Sequence, residues 1–251
     1  MASKSPAPNS KQVTKTAMKR IFSDVKSIIE HPLEDHGIYY KHDDENMLRG
    51  YCLFIPTEKS PYQYGNYLFT IEFPENYPYS PPVMKFFTNN GHTRFHPNFY
   101  KNGKVCLDIL NSWRGEEWTS CNTLSSVLIN ISPLFNTQAL LNEPGISILN
   151  NKQMVEDYDV CITYQNFKTA IYDVVAASKA TTAKQKGLYG GLAFIFKDII
   201  QREYEKNKEV IKESLKINAK SNVNQLIELN IYKMREDIDY LELLKQNYLK
   251  V

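Results

Sequence analysis

The sequence predicts an α+β fold, an antiparallel meander of strands preceded by one helix and followed by several. Three observations carry this. An apolar stripe at helical spacing lies near the start, strand-like segments with short turn-rich loops follow it, and helical periodicity dominates from residue 124 onward. The 251 residues have room for one large domain, or for a medium domain with an appendage. A net charge of +2 argues neither for a nucleic-acid binder nor for an acidic tail. No apolar run approaches the roughly eighteen residues a membrane helix needs; the best is LAFIF at 192–196.

Residues 1–14, MASKSPAPNSKQVT, read as a disordered basic lead rather than a transit peptide, because Pro6 and Pro8 interrupt them and arginine is scarce. From about Thr16, Met18, Ile21, Val25 and Ile28 recur at helical spacing, Phe22 and Ile29 widen the stripe, and Pro32 ends it. Lys15, Lys19, Arg20 and Lys26 fall outside the stripe, so this helix is expected to show solvent a basic surface.

Three strands are expected next. RGYCLFI at 49–55 puts Tyr51, Leu53 and Ile55 on one face and Cys52 and Phe54 on the other. NYLFTIEF at 66–73 sets Tyr67, Phe69, Ile71 and Phe73 against Leu68, Thr70 and Glu72, and VMKFF at 83–87 continues the series. Their short connections favour antiparallel pairing. PENYPYSPP at 74–82 is too rich in proline to pair and must run stiff and extended.

Downstream, Leu124, Val127, Leu128 and Ile131 mark an amphipathic helix that Pro133 and NEPG at 142–145 stop. Residues 153–176 look helical, 176–191 read as a boundary of small residues, and the last sixty carry two long helical patterns. The first shows Glu–Lys pairs three residues apart; the second has a narrow seam of Ile227, Ile231, Met234, Ile238 and Leu241 that wants a partner helix.

The segment with chemical interest is RFHPNFYKNGKVCLDIL at 94–110. Asn102-Gly103 is a hairpin signal, since both central residues of a type I′ turn need positive φ. A two-residue loop there pairs Phe99 with Cys106 and Asn98 with Leu107, which sets the Asn98 amide diagonal to the Cys106 thiol. Pro97 keeps His96 out of helical geometry. By themselves these residues fit two readings, an amide donor beside a reactive thiol or a turn asparagine beside a buried cysteine. The cysteines (Cys52, Cys106, Cys121, Cys161) form no CxxC pair and fit reduced thiols of a cytosolic or nuclear protein. The five histidines make no metal-ligand spacing, and no phosphate-binding glycine loop is present.

Taken together, the basic N-terminal helix, SPYQYGNYLFTIEFPENYPYSPP at 60–82, HPN at 96–98, NGKVCLDIL at 102–110, Trp118 and the helix SSVLINI resemble the ubiquitin-conjugating enzyme (UBC) family over roughly residues 15–177. NSWRGEEW, NEPG and the helical tail are similar to the large, C-terminally extended Z-type members. The resemblance implies a UBC-like fold with a four-stranded meander, a catalytic core over 15–177 and a helical extension over 178–251. It implies that Cys106, a sulfur exposed at the hairpin shoulder, accepts ubiquitin or a ubiquitin-like protein as a thioester from an activating enzyme. A substrate lysine or a ligase then receives it. Asn98 is implied either as the amide donor to the oxyanion or as the brace of the loop, and His96 as its structural support. Glu143, or Asn142 if the alignment shifts by one, would position and deprotonate the lysine. Tyr79 matches the aromatic that contacts ligases, and Lys15, Lys19 and Arg20 match the basic face that docks the activating enzyme. After Trp118 the chain reads TSC, without the family's proline, a departure from the usual ligase loop. No cofactor is implied, because ATP is consumed by the activating enzyme, and neither nucleic acid nor membrane is an expected partner. The rival reading is a non-catalytic binding module on this fold; such variants lack the nucleophile, which this chain keeps.

Overall fold

A computed structural model of the chain describes residues 13–91, 93–181 and 189–228. The expected lead lies outside them apart from Val13 and Thr14, and the apolar seam lies outside them beyond residue 228. Thr14 caps the first helix, α1 (Lys15–Glu30), its hydroxyl accepting from the Ala17 N–H at 3.0 Å. Four strands follow in antiparallel order, β1 (Ile38–His42), β2 (Arg49–Phe54), β3 (Tyr67–Glu72) and β4 (Val83–Phe86), each paired with the next. The fold is the α+β meander that was expected. β1 is the strand the sequence pattern did not reveal, because IYYKH sets three apolar residues in a row before two polar ones and so shows no alternation.

The sheet is covered on its inner face and on part of its outer face, where Glu72, Val83 and Lys85 stay exposed. On the inner face Cys52, Phe54, Tyr67, Phe69, Ile71, Met84 and Phe86 pack against α1 and α2 (Leu124–Ile131). All four stripe residues of α2 are buried, and Thr123 with Ser126 forms a capping box at its start. Aromatic rings fill much of this core; Tyr67 stacks on Phe135 at 4.7 Å between centroids and Phe86 on Phe99 at 5.1 Å. On the outer face Tyr39, Leu53, Ile55 and Leu68 are sealed by Val174, Val175, Tyr189, Leu192, Phe196 and Ile200.

Those last residues come from the helical half. α3 (Ile148–Gln165) runs into a widened π-helical stretch (Asn166–Asp173) and on into α4 (Val174–Ser178); α5 (Gly190–Ile195) and α6 (Lys197–Glu228) follow. The stretch carries its own tie to the sheet: the Ala170 carbonyl accepts from both the backbone N–H and the side-chain amide of Asn66, each at 2.9 Å. The Asn166 carboxamide oxygen takes the Tyr67 hydroxyl at 2.6 Å. Along α6 the Glu205–Lys208 and Glu209–Lys212 pairs face solvent, as their spacing implied.

Two expectations for α1 fail. Phe22 and Ile29 are each 70% exposed, and the buried face is Ala17, Ile21, Asp24 and Ile28. The stripe is narrower than hydrophobicity suggests because Asp24 takes a core position. Its carboxylate accepts from Arg20 Nε at 2.9 Å, the Tyr77 hydroxyl at 2.5 Å and the Leu124 N–H at 3.2 Å, joining α1, the proline-rich loop and the start of α2. Arg20 is therefore turned inward, its remaining nitrogens bonding the Ser120 and Asn122 carbonyls at 2.7 and 2.5 Å. It brackets the loop after Trp118, where the family's proline is missing, and is not part of a solvent-facing basic surface.

Phe196 is fully buried between α5 and the sheet. Truncating it to alanine should cost about 3–5 kcal/mol, read as a lower urea midpoint for the full chain. An unchanged midpoint would mean that the outer helices do not stabilise the sheet.

Candidate active site

The hairpin at 94–110 forms, with a loop one residue longer than expected. The Gly103 N–H donates to the Tyr100 carbonyl and the Tyr100 N–H to the Lys104 carbonyl, each at 2.9 Å. Only Gly103, at φ +87°, takes the left-handed conformation, while Asn102 does not. The loop is thus a type I turn closed by a left-handed glycine rather than a type I′ turn. A side chain on Gly103 would also press on the Phe86 carbonyl 3.0 Å away. The extra residue shifts the register, so that Phe99 pairs with Val105 and Asn98 faces Cys106 directly.

Two hydrogen bonds join that pair. The Cys106 N–H donates to the Asn98 carbonyl at 2.9 Å, and Asn98 Nδ2 donates to the Cys106 carbonyl at 2.7 Å. Ser112 holds the residues on either side of the cysteine: its hydroxyl accepts from the Leu107 N–H at 2.9 Å and lies 3.0 Å from the Val105 and Leu107 carbonyls. Sequence reading missed Ser112, since a serine six residues past a cysteine carries no signal of its own.

Cys106 departs from the exposed shoulder that was expected, being only 2% exposed. Its main chain is tied to Asn98 and its neighbours to Ser112, which draws the strand in. It nevertheless belongs to neither hydrophobic cluster. The following loop is open to solvent, with Asn111, Arg114, Glu116 and Glu117 exposed and Trp113 40% exposed. A groove of about 300 Å³ runs beside the hairpin, lined by Val83, Lys85, Asn102, Lys104, Val105 and Ser112 among others.

His96 lies beneath the pair, fully buried, with Nδ1 accepting from the Asn98 N–H at 3.0 Å. Burial pushes its pKa down to about 3, and the Arg94 charge pushes the same way. The ring is neutral, with its proton on Nε2, and the Leu134 carbonyl faces it without completing a hydrogen bond. It is a loop support and not a base at neutral pH.

Glu143 is brought to the same region by Arg94, whose Nη2 lies 2.9 Å from its carboxylate and also donates to the Pro97 carbonyl. The Asn142 amide instead turns back to the Ala139 carbonyl at 2.9 Å. Arg94 was not singled out in the sequence, because a lone arginine ahead of the motif looks like any solvated cation. The buried side-chain polar atoms lacking a partner, among the described residues, are Arg94 Nε, His96 Nε2 and Asn98 Oδ1. Each such orphan costs about 1–3 kcal/mol. Their confinement to five consecutive residues marks this loop as shaped for something besides stability.

The remaining residues of interest lie elsewhere. Tyr79 is 71% exposed on the loop that Trp118 pins through its Nε1–H to the Pro78 carbonyl at 2.6 Å. Lys15 and Lys19 are exposed on α1.

Neutral His96 has a consequence for stability. Its pKa is about 3 in the fold against 6.5 unfolded, so as pH falls the unfolded chain binds the proton first. The stability it contributes is complete above about pH 6.5 and lost progressively toward pH 3. His96→Asn should flatten the acid slope by about 2–3 kcal/mol between pH 7 and 4.5, measured by urea unfolding. Equal slopes for the two proteins would contradict a buried neutral imidazole.

The profile of the family described as ubiquitin-conjugating enzyme matches residues 20–173. The chain is 36% identical over 157 residues to ubiquitin-conjugating enzyme E2 Z of Xenopus tropicalis, covering 62% of this chain and 50% of that protein. The human E2 Z gives the same identity over 157 residues, with 62% of this chain and 44% of that protein covered. This chain is also 32% identical over 149 residues to the human dual E2 ubiquitin-conjugating enzyme/E3 ubiquitin-protein ligase BIRC6, covering 55% of this chain and 3% of that protein. The chain spans about half the length of the E2 Z relatives it matches. With that match spanning the sheet, the Asn98–Cys106 pair and α3, the chain belongs to the ubiquitin-conjugating enzyme family.

Proposed function

We propose that this chain is an active conjugating enzyme that takes ubiquitin, or a ubiquitin-like protein, onto Cys106 as a thioester from an activating enzyme and passes it to a substrate lysine or a ligase. The observation that carries this reading is the direct pairing of Asn98 with Cys106 across the hairpin. In the loading step the Cys106 thiolate attacks the activating enzyme's thioester carbonyl, the new C–S bond forms, and the donor thiolate leaves. In discharge a neutral lysine amine attacks the Cys106 thioester and passes through a tetrahedral oxyanion. It then expels the Cys106 thiolate as the isopeptide forms, and the amine's proton is lost to a base.

One N–H of the Asn98 amide is used by the Cys106 carbonyl, which braces the loop. An amide carries two such donors, and the second is left for the oxyanion. The two roles are therefore compatible. An amine of ordinary pKa near 10.4 is neutral in only about one molecule in a few thousand at pH 7, a handicap of roughly 4–5 kcal/mol. Glu143 is the carboxylate assigned to receive the lysine, and the turn-bound Asn142 is not. Because Cys106 is 2% exposed, loading requires its surroundings to open around the sulfur.

Lys15 and Lys19 are the residues proposed for docking the activating enzyme, and Tyr79 for a ligase. The catalytic core is taken as 15–177 and the extension as 178–251. All four cysteines are free, which suits a reducing compartment such as the cytosol or nucleus. Among the described helices none is long and apolar enough to cross a membrane.

Incubation with activating enzyme, ATP and modifier should give a conjugate that thiol reductant removes, and Cys106→Ser should convert it to a reductant-resistant ester. Asn98→Ala should slow discharge about 10²-fold or more, in excess of any loss in loading. Failure of every activating enzyme and modifier pair to load Cys106 would refute the proposal and favour a binding module.

A further inference from the structure

The Arg94 guanidinium is held in place by several groups at once. Nη2 donates to the Pro97 carbonyl and meets the Glu143 carboxylate at 2.9 Å, while the charge lies 4.3 Å from the centre of the Tyr100 ring. Its main-chain carbonyl accepts the Tyr158 hydroxyl at 2.9 Å, which ties it to α3. The pair is partly exposed, with side-chain exposures of 27% and 36%, so its worth to stability is small. Stability does not account for a cation gripped this firmly, nor for leaving its Nε buried and unpartnered.

We propose that Arg94 is a positioning residue for lysine discharge: it aims the Glu143 carboxylate toward the Asn98–Cys106 pair and offsets its charge. The offset matters because of a conflict in what the carboxylate does. Alone, an anion beside the acceptor lysine stabilises the ammonium form and raises its pKa, which works against attack. A fixed cation on the carboxylate's other side cancels much of that field and leaves the oxygens able to accept the amine's hydrogen bond. The pair also clips the 139–143 turn to the carbonyl of Pro97, next to Asn98, so acid and amide share one frame. The titratable groups facing it are His96, Tyr100 and Tyr158, with Lys104 beyond the Tyr100 ring and Asp159 holding the Gln138 N–H. His96 stays neutral throughout the working range, so the charge balance at the site is set by Arg94 and Glu143.

This rests on the thioester reading of Cys106, and the test separates the two. Wild-type protein, Arg94→Gln, Arg94→Lys and Glu143→Gln are charged with modifier. Each is then discharged by free lysine and, separately, by hydroxylamine, which is uncharged at neutral pH. Arg94→Gln should lower the lysine-to-hydroxylamine rate ratio about tenfold at pH 7 and move the lysine rate profile to higher pH by about 0.5–1 unit. Arg94→Lys, which keeps the charge without the planar fork, should restore the pH profile and only part of the rate. Parallel losses with both nucleophiles would reduce Arg94 to a structural role, as would an unshifted pH profile. If the proteins charge normally yet Glu143→Gln leaves the ratio unchanged, the acid is elsewhere and the inference falls alone. If none charges, the conjugating reading falls with it.

Discussion

The site depends on two hydrogen bonds between Asn98 and Cys106, one through the main chain and one through the asparagine side chain. Each is worth about 0.5–1.5 kcal/mol, so their importance lies in geometry more than in energy. They hold an amide against the carbonyl of the residue that carries the thiol, on a ribbon whose loop length permits no other opposition. His96 supports the pair from below by accepting the Asn98 N–H, a bond available only to an uncharged imidazole. Burial of that ring keeps it uncharged. The chemistry above and the packing below are thus coupled through one side chain.

Around this pair the fold trades stability for placement. Three buried polar atoms go without partners in residues 94–98, while the buried Asp24 of α1 is met by three donors. The contrast separates two uses of buried polarity. Asp24 is satisfied and ties α1, the proline-rich loop and α2 together. The 94–98 loop is left under-satisfied beside the Asn98–Cys106 pair.

The outer layer alters how such a sheet meets its surroundings. Tyr39, Leu53, Ile55 and Leu68 would form an apolar surface on the sheet's second face, and Phe196, Leu192 and Ile200 bury them. Leu53 and Leu68 on this face are therefore as buried as Cys52, Phe54, Tyr67, Phe69 and Ile71 on the inner one, while Tyr51 and Thr70 stay half-buried and Glu72 exposed. The 74–82 loop, α1 and the Glu72, Val83 and Lys85 edge of the sheet remain exposed, while the β1 and β2 side of the second face is covered.

Much of the fold was legible in the sequence. Period-two alternation marked β2, β3 and β4, helical spacing marked α2, and the HPN tripeptide with a cysteine eight residues past its asparagine marked the site. These are local regularities, repeated over enough residues to stand out. The tertiary structure decided the rest. Asn-Gly announced a turn, but whether two or three residues enter the loop depends on Gly103 lying against the Phe86 backbone, and that choice set Asn98 opposite Cys106. Phe22 and Arg20 exchanged their expected environments because Asp24 needed a cation and hydroxyl inside, a demand arising from residues about fifty and a hundred positions away. Arg94, Ser112 and the covering of Cys106 likewise depend on contacts between segments that composition and spacing do not relate. Periodicity and motif spacing are properties of neighbouring residues and survive in one dimension; charge pairing, register and exposure are properties of which segments meet, and only the folded chain determines them.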